Sequence, residues 1–527
     1  MKNWWKHAVI YQIYPRSFLD TNHDGIGDLN GITQKIDYIA SLGVDGIWIS
    51  PFFPSPMKDF GYDVSDYRGV DPMFGTLDDF DALLAKAHSA GLKVIIDLVL
   101  SHTSDQHPWF SDPTKKDWYV WADAKADGAP PNNWASVFGG SAWEWNDAHQ
   151  QYYLHNFLTE QPDLNCHNPA VQNEIFDICK FWLDRGVDGF RLDVVNFYFH
   201  DQKLRDNPPS NTGGYATQFE GDTPYSAQAH IYDKSQPENL EFIEKLRALT
   251  DTYENRVLIG EIGDDAPNER AREYTNGDAR LHTAYNTSMM AGTQKTLHAD
   301  IITNPLLDFF ECENLESAVK LTDSNSWPAW AFSNHDVVRA ASRWFKPFDH
   351  NPNLSKMLIA LLGCLPGTLF LYQGEELGLP EAEIPFDSLQ DPWAKETWPE
   401  WQGRDGCRTP MPWLADSQYL GFSNHKPWLP IPKPHKTLSI EQQELDKDSV
   451  LHFTQKFINW RKKRRVFLNS SFQHIETKHL NIIEFSWFNV TNETRCIFNL
   501  SDQNRDYNDI QLTAYGVHID GFNINEN

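Results

Sequence analysis

Short apolar runs recur along the chain, and stretches with helical spacing separate them. Seven runs are clear: AVIYQIYP, GIWISPFF, LKVIIDLVLSH, GVDGFRLDVV, RVLIGEIG, AWAFSNHD and PGTLFLYQGEE. Between the second and third, GTLDDFDALLAKAHSAGLK has helical leucine and alanine spacing, with Thr76 placed to cap its start and Gly91 to end it. Apolar strands that alternate with helices predict a parallel sheet covered on both faces.

An eighth, weaker run, LHTAYNTSMM at residues 281–290, occupies the place of a sixth strand. Eight strand–helix units predict an α/β fold, the (β/α)8 TIM barrel. The alternative is an open, doubly wound sheet, which usually carries a glycine-rich phosphate loop after its first strand. The stretch YQIYPRSF contains no glycine, so the pattern favours the closed barrel.

Two parts of the chain break this rhythm. Residues 103–170 are rich in proline, glycine, asparagine and tryptophan, as in WADAKADGAPPNNWASVFGGSAWEW, and are too many for a plain loop. After about residue 465, HLNIIEFSWFNV and RCIFNLSD have the pattern of antiparallel strands. We therefore predict a barrel over 1–102 and 171–465, a small inserted domain over 103–170 after strand three, and a C-terminal antiparallel β-domain over 466–527.

Polar side chains cluster where the apolar runs end. They are Asp97, His102, Arg191, Asp193, Glu261, His335 and Asp336. In GFRLDVVN, Arg191 and Asp193 are two residues apart and therefore point to the same face of a strand. Buried aspartate and arginine are rare unless they are paired or functional. Because the carboxyl ends of barrel strands meet at one face, where active sites lie, we expect these residues to share a pocket.

The strand-end carboxylates suit the cleavage of glycosidic bonds, which needs one protonated and one ionised carboxyl group beside the bond. Arg191 next to Asp193 would lower the pKa of that carboxyl and keep it ionised, as a nucleophile requires. Glu261 has apolar neighbours in LIGEIG, which favour the protonated form that a general acid needs. At any single site, a structural Arg–Asp pair or a capped strand end is the alternative. Carboxylates on three strands together favour catalysis.

Composition adds expectations about partners and compartment. Aromatic residues make up 13% of the chain, with 20 Trp, which fits either a large core or a cleft whose rings stack on sugars. A net charge of −28 would repel polyanions, so we expect neither nucleic acid nor an anionic membrane surface as partner. The six cysteines form no CxxC pair, which indicates a reduced, cytoplasmic protein. We find neither a signal-peptide pattern nor an apolar run long enough for a membrane helix.

Six stretches occur in a characteristic order: DLVLSH (97–102), QPDLN (161–165), GFRLDVVN (189–196), GEIG (260–263), FSNHD (332–336) and GTLFLYQGEELG (367–378). Together with GYDVSDY and GRDGCRTPMPW they span roughly residues 10–415. In order and spacing they resemble the α-amylase family, glycoside hydrolase family 13, and within it the oligo-1,6-glucosidase and α-glucosidase branch. The match is highly specific, because both the motifs and their spacing agree.

The resemblance implies catalytic roles. Asp193 would be the nucleophile and Glu261 the general acid and base. Asp336 would be a third carboxylate, which binds ring hydroxyls and stabilises the transition state. The same subsite would be lined by Arg191, His102 and His335.

The resemblance also implies a closed pocket for one terminal sugar. Asp59 would bind the hydroxyls of the nonreducing-end sugar, Tyr62 would stack on its ring, and Phe157 would form a second wall. Either Arg404 or Arg408 of GRDGCR would pair with Asp59. Such a clamp implies exo action on short chains.

The chain departs from the family pattern at three places. Ser101 stands where many members have the asparagine that often binds an interdomain calcium, so we do not predict that site. Val194 follows the proposed nucleophile, and in related enzymes valine there accompanies α-1,6 preference whereas threonine accompanies α-1,4. LQDPW replaces the RDP stretch common in this branch, so the resemblance does not predict the outer sugar-binding subsites.

The stretch DTNHDGIGD is a separate signal for a metal. Oxygen donors alternate along it, and Gly25 permits a sharp turn. The donors are the side chains of Asp20, Asn22, Asp24 and Asp28 and the carbonyl of Ile26. Position twelve is Gly31 rather than glutamate, so the loop is not an EF-hand. Relatives in this branch bind a structural calcium here, so we expect Ca²⁺ or Mg²⁺ and no organic cofactor.

The strand-end carboxylates and the roles that the family resemblance implies together predict a retaining exo-α-glucosidase, which could also transfer glucose to sugar hydroxyls. The alternative is a sugar isomerase or glucosyltransferase of the same family, of the trehalose synthase or sucrose isomerase type. A non-enzymatic family member is disfavoured, because such chains lose catalytic carboxylates and carry a membrane helix. The protein would act as a monomer or homodimer, and its linkage preference is left open.

Overall fold

Eight parallel strands form a closed barrel in the computed structural model. They are β1 (Val9–Ile13), β2 (Gly46–Ile49), β3 (Lys93–Leu98), β4 (Gly189–Leu192), β5 (Val257–Ile262), β6 (Thr283–Asn286), β7 (Pro328–Ala331) and β8 (Thr368–Tyr372). Each strand neighbours the next in sequence, and β8 pairs with β1 to close the ring. The predicted TIM barrel is confirmed, including the weak sixth strand.

The structure describes residues 3–210, 223–290, 296–311, 319–320, 324–345, 349–399, 401–464, 467, 470–477 and 479–523. The helices within these ranges are Leu29–Gln34, Ile36–Ser41, Leu77–Ser89, Pro108–Ser111, Pro169–Arg185, Pro237–Thr250, Pro267–Thr275, Ala299–Phe310, Ala340–Arg343, Pro352–Cys364, Pro392–Thr397, Ile440–Leu445 and Val450–Lys463. At the first turn of Leu77–Ser89, Thr76 Oγ1 accepts from Asp79 N at 3.2 Å. Beyond its end, Gly91 has a φ of +79°, so both predicted helix boundaries are confirmed.

A small antiparallel sheet lies in the chain between β3 and β4. Its strands are Trp121–Ala122, Gln151–Leu154 and Trp143–Asn146, paired in that order. The sheet has its own apolar cluster, which includes Trp134 and Trp143, with ring centroids 5.9 Å apart. These residues account for some of the tryptophans as core. The predicted bounds of the inserted domain, 103–170, remain a prediction.

The C-terminal strands form an antiparallel sheet, as predicted. Its order is Val319–Lys320, Ser471–Ile475, Ile482–Phe488, Glu493–Asn499 and Val517–Ile519. A separate hairpin pairs Arg505–Tyr507 with Ile510–Leu512. The edge strand Val319–Lys320 comes from the segment between β6 and β7, which the sequence pattern did not reveal.

The chain divides into two compact units. The terminal unit comprises Met1–Trp48, Ala85–Lys93 and Ser288–Asn527, and the central unit comprises Ile49–Leu84 and Val94–Thr287. In the described ranges, no helix is both long and apolar enough to cross a membrane. Five cysteines are buried free thiols, and Cys312 lies outside the described residues.

Candidate active site

The central unit carries a buried group of charged side chains at the ends of β3, β4 and β5. Strand register brings it together, because Arg191 lies opposite Asp97 of β3 while Glu261 lies opposite Tyr285 of β6. The Arg191 guanidinium is completely buried. We call this group the acid cluster: Asp97, Arg191, Asp193, Glu261 and Tyr285.

One guanidinium connects every member of the acid cluster. Arg191 Nη1 is 2.8 Å from Asp97 Oδ1 and 2.5 Å from Asp193 Oδ1. Arg191 Nη2 is 2.5 Å from Glu261 Oε2 and donates to Tyr285 Oη at 3.0 Å. The proposed nucleophile and general acid thus contact neighbouring nitrogens of the same side chain. Sequence analysis missed Tyr285, because only the register of two strands identifies it.

The charges of the acid cluster do not balance, since three carboxylates face one cation. Burial raises the pKa of the Asp193 carboxyl well above its ordinary value. Arg191 acts in the opposite direction, and the charges of Glu261 and Asp97 raise that pKa further. The sequence-based expectation of a lowered pKa for Asp193 is therefore wrong, because it omitted burial and two like charges.

The turn after Asp193 is strained. Val194 has a φ of 36° and a ψ of 50°, a left-handed conformation that β-branched residues rarely adopt. Such a residue costs of order 1–3 kcal/mol and persists only where its surroundings impose it. Here the turn directs Val194 N to Glu261 Oε2 at 3.2 Å, so the strained peptide binds the proposed general acid.

His102 and Asp59 meet at one buried amide. Gln161 Nε2 is 3.3 Å from Asp59 Oδ2 and 3.1 Å from His102 Nε2. His102 Nδ1 is 2.9 Å from Ser101 Oγ, so the residue that departs from the family pattern contacts the imidazole. Burial lowers the pKa of His102 to about 3, and the ring is neutral at neutral pH. Gln161 begins the QPDLN motif, but the sequence alone did not identify it as a site residue.

Aromatic side chains adjoin the same part of the central unit. Tyr62 Oη donates to Asp97 Oδ2 at 3.2 Å, which fixes the ring beside the acid cluster. The Phe157 ring lies 5.2 Å from the His102 ring and 5.5 Å from that of Phe197. Tyr62, predicted to stack on a sugar ring, thus contacts Asp97 of the acid cluster, and Phe157, predicted to form a second wall, contacts His102.

The terminal unit holds the third predicted carboxylate in a separate arginine network. Asp336 Oδ1 is 2.6 Å from Arg408 Nη2 and 3.4 Å from Arg404 Nη1. Asp336 Oδ2 is 3.2 Å from Nε2 of His335. His335, Arg404 and Arg408 are buried and the Asp336 side chain is 14% exposed, so its charge is held mainly by these short contacts.

The two arginines that the sequence could not separate differ in their partners. Arg404 binds Asp391 through two contacts of 3.0 Å, from Nε and from Nη2. Burial raises the pKa of Asp391, but the charge and hydrogen bonds of Arg404, together with the charge of Arg408, hold that pKa below its ordinary value. Arg408 instead donates from Nε to the His335 carbonyl at 2.6 Å. Asp391 belongs to LQDPW, which keeps the Asp–Pro of the RDP pattern, and no local pattern identified it as the partner of Arg404.

The loop 20–28 is closed by its own peptide groups. Asp20 Oδ1 accepts from His23 N at 2.7 Å, and Asp28 Oδ1 accepts from Gly31 N at 2.7 Å. Asn22 and Asp24 are exposed. Among the residues that the structure describes, no group of three or more His, Cys, Asp or Glu side chains is arranged to hold a metal. The oxygen donors suit a hard cation, but the buried carboxylates face backbone N–H groups.

The model of the alpha-amylase catalytic domain matches residues 12–470 of this chain. The chain belongs to the alpha-amylase family. A probable alpha-glucosidase of Rhizobium meliloti (strain 1021) is 50% identical over 514 residues, covering 95% of this chain and 90% of that protein. An oligo-1,6-glucosidase of Heyndrickxia coagulans is 36% identical over 545 residues, covering 95% and 93%.

Solved structures of alpha-amylase relatives superpose over nearly the whole chain. The alpha-glucosyl transfer enzyme XgtA has a TM-score of 0.91 at 46% identity and covers 98% of this chain and 99% of its own. The trehalulose synthase MutB of Pseudomonas mesoacidophila MX-45 has a TM-score of 0.85 at 28% identity and covers 98% of each chain. The α-glucosidase and oligo-1,6-glucosidase branch recognised in the sequence is confirmed.

The neutral His102 of this member of the alpha-amylase family predicts a pH-dependent loss of stability. Its folded pKa of about 3 lies below an unfolded value of about 6.5. The unfolded state therefore binds more protons between these values, so stability is present above about pH 6.5 and is lost as the pH falls toward 3. In urea unfolding at pH 7 and pH 5, His102→Gln should lose less stability on acidification than the unmodified protein. Equal losses would contradict the assignment.

Proposed function

We propose that the chain is a retaining, exo-acting α-glucosidase. It releases the terminal, nonreducing glucose of disaccharides and short oligosaccharides by hydrolysing its α-1,4 bond, its α-1,6 bond or both. The observation that chiefly supports this is the acid cluster, in which Asp193 and Glu261 contact the two Nη atoms of one guanidinium. Family membership and the names of the two relatives point the same way.

In this mechanism Asp193 attacks the anomeric carbon while Glu261 gives its proton to the leaving oxygen. The glycosidic C–O bond breaks, and a β-glucosyl ester forms on Asp193. Glu261, now ionised, takes a proton from water as that water attacks the same carbon and releases α-glucose. A sugar hydroxyl in place of water gives transfer of glucose. Retention requires about 5–5.5 Å between the two carboxyl groups, and that separation stays a prediction.

The remaining roles follow the family resemblance. Asp336 binds ring hydroxyls as an ionised carboxylate, a state that its two arginine contacts favour. The other proposed substrate-binding residues are Asp59, Tyr62, His102, Phe157, Arg191, His335, Arg404 and Arg408. Arg404 or Arg408 pairs with Asp59 to close the pocket around one terminal sugar.

A panel of α-linked disaccharides tests the proposal. Maltose, isomaltose, sucrose and trehalose are incubated with the protein, and proton NMR records the first anomer of glucose that appears. We expect α-glucose to form before mutarotation, with the hydrolysis rates giving the linkage preference. Sucrose decides the stereochemistry, because all of its glucose comes from the residue that is transferred. Initial β-glucose from sucrose would show inversion and would refute the double-displacement assignment.

Sugar isomerisation is the second candidate, and the likeness to the trehalulose synthase MutB favours it. In that case the glucosyl group passes from its ester with Asp193 to a hydroxyl of the released sugar rather than to water. The same NMR experiment separates the two, because sucrose would give a rearranged disaccharide instead of free glucose and fructose. The 46% identity to the transfer enzyme XgtA leads us to expect some transfer products in addition to hydrolysis.

We also propose that the loop 20–28 binds a structural calcium. Five oxygen donors alternate along this stretch of the sequence: the side chains of Asp20, Asn22, Asp24 and Asp28 and the Ile26 carbonyl. Gly25 makes that turn with a φ of 91°, and its carbonyl accepts from Trp428 N at 3.1 Å. The ion would hold the loop and would take no part in the reaction. Magnesium is the other hard cation that the donors suit.

Calcium binding predicts that a chelator lowers the thermal midpoint. At a free calcium concentration of 100 Kd, binding stabilises the folded state by about 2.7 kcal/mol. Asp24→Asn keeps an oxygen for the Ile26 N–H, now 2.8 Å away, but removes the charge. We expect EDTA to lower the midpoint of the unmodified protein and to leave that of Asp24→Asn unchanged. Asp127→Asn, at an exposed carboxylate elsewhere, is the control. A chelator-insensitive native protein would refute the site.

The remaining parts of the proposal concern compartment and partners. The free, buried thiols support a reducing compartment, and we propose the cytoplasm. The proposed partners are small α-glucosides, and the net charge of −28 argues against nucleic acid. We propose a monomer or homodimer, which sedimentation would distinguish.

A further inference from the structure

Asn196 connects the loop that follows Asp193 to the loop that follows Glu261. Its side chain is completely buried. We infer that Asn196 is a positioning residue, which acts on the general acid through the backbone of Gly263. This inference rests on the proposed retaining mechanism and adds a residue to which no role has been given.

The carboxamide of Asn196 holds both polar atoms of one peptide residue. Its Nδ2 donates to the Gly263 carbonyl at 2.9 Å, and its Oδ1 accepts from Gly263 N at 3.2 Å. Only an amide offers a donor and an acceptor at this spacing. Because Gly263 is two residues after Glu261, the paired bonds fix the end of β5.

Asn196 also fastens a third segment. Nδ2 donates to Ser235 Oγ at 3.0 Å, and the Asn196 carbonyl accepts from Ser235 N at 2.7 Å. Ser235 Oγ in turn donates to Asp264 Oδ2 at 2.6 Å. Ser235 has a φ of 56°, so it is a second strained residue beside Val194. Val194, two residues before Asn196, and Ser235, its hydrogen-bond partner, are both strained, which indicates that the surrounding structure imposes one backbone geometry here.

The effect of Asn196 falls on Glu261 more than on Asp193. Asp193 directly follows β4, and its N–H donates to Leu98 O at 3.0 Å, whereas the Asn196 amide binds the residue two positions after Glu261. The position of Glu261 depends on the end of β5, and Asn196 fixes that end by binding Gly263. Loss of the amide should therefore disturb proton donation more than nucleophilic attack.

Leaving-group dependence measures this difference. A disaccharide needs a proton on its leaving oxygen, whereas 2,4-dinitrophenyl α-glucoside releases a stable anion without one. A displacement of about 1 Å can cost about 100-fold in rate. For Asn196→Ala we expect kcat/KM on maltose or isomaltose to fall about 100-fold, and on the dinitrophenyl glucoside by less than about 10-fold.

Asn239→Ala is the matched control. Asn239 is also buried, and its Nδ2 donates to Val195 O at 2.7 Å and to Tyr274 Oη at 2.9 Å. It loses the same kind of contacts beside Asn196 without touching Gly263. We expect kcat/KM of Asn239→Ala to fall by the same factor on the disaccharide and on the dinitrophenyl glucoside. An unchanged substrate ratio in Asn196→Ala, or an equal change in Asn239→Ala, would overturn the inference.

Two further variants keep the result interpretable. Asn196→Asp preserves the side-chain volume and the acceptor for Gly263 N–H but removes the donor to the Gly263 carbonyl. It replaces the alanine variant if that variant does not fold, and its kcat/KM should likewise fall more on the disaccharide than on the dinitrophenyl glucoside. Glu261→Gln removes the acid directly and should show the largest ratio. A Glu261→Gln variant with no substrate dependence would refute the proposed mechanism itself, which distinguishes that failure from an error about Asn196.

Discussion

Replacing Asp193 with alanine should abolish turnover without unfolding the protein. Removal of a nucleophile from a catalytic group costs about 10⁶-fold in kcat. Stability should be kept or raised, because the variant leaves Arg191 with Asp97 and Glu261 and removes one of three crowded carboxylates. Steady-state hydrolysis of maltose or isomaltose and a thermal melt of the same preparation measure both effects.

Asp188→Ala provides the contrast for this result. Asp188 is equally buried in the central unit, where it accepts from Val94 N at 2.9 Å, but it is not part of the acid cluster. We expect the control to lower the melting midpoint while most of kcat survives. Turnover retained by Asp193→Ala, prepared in a host that lacks α-glucosidases, would remove Asp193 from the mechanism.

Replacing Arg191 with alanine should have the largest effect on stability. The variant leaves three buried carboxylates with no cation between them, and removing one partner of a buried ion pair costs about 3–5 kcal/mol. Protonation is then the only way to relieve the repulsion, so the folded state binds protons more readily than the unfolded state. The stability gap to the native protein should therefore narrow as the pH falls from 7 to 5. Urea unfolding at both values measures that gap.

Arg191→Lys separates charge from geometry. Lysine restores one positive charge, but a single ammonium cannot present two nitrogens in the fixed plane that Asp193 and Glu261 contact. We expect part of the stability to return while activity stays low. A fully active lysine variant would show that the shared guanidinium does not set the arrangement of the two carboxyl groups.

The barrel could be predicted because its cause is local. Apolar runs alternate with helices, and polar residues follow the strands, so topology and the end that carries the site are both written in short stretches. Arg191 and Asp193 could be placed on one face from their spacing alone. The family motifs then added expected roles for residues that are far apart in the chain.

What the sequence did not reveal depends on long-range register and burial. The pairing of Arg191 with Asp97 and of Glu261 with Tyr285 arises from how neighbouring strands align. The direction of the Asp193 pKa reverses because burial and like charges outweigh the adjacent arginine. The ion pair between Asp391 and Arg404, 13 residues apart in the chain, could be identified only from the folded structure. Each of these is a sum over several elements, which no local pattern contains.

The short strand Val319–Lys320 has a consequence for synthesis on the ribosome. Its backbone pairs with Ser471 and Phe472, about 150 residues later in the chain. While residues 321–470 are being translated, this segment has no sheet to join, although β6 has already emerged. This pairing therefore cannot form until residues 471–472 have been synthesised, and the edge of the C-terminal sheet is completed only near the end of translation.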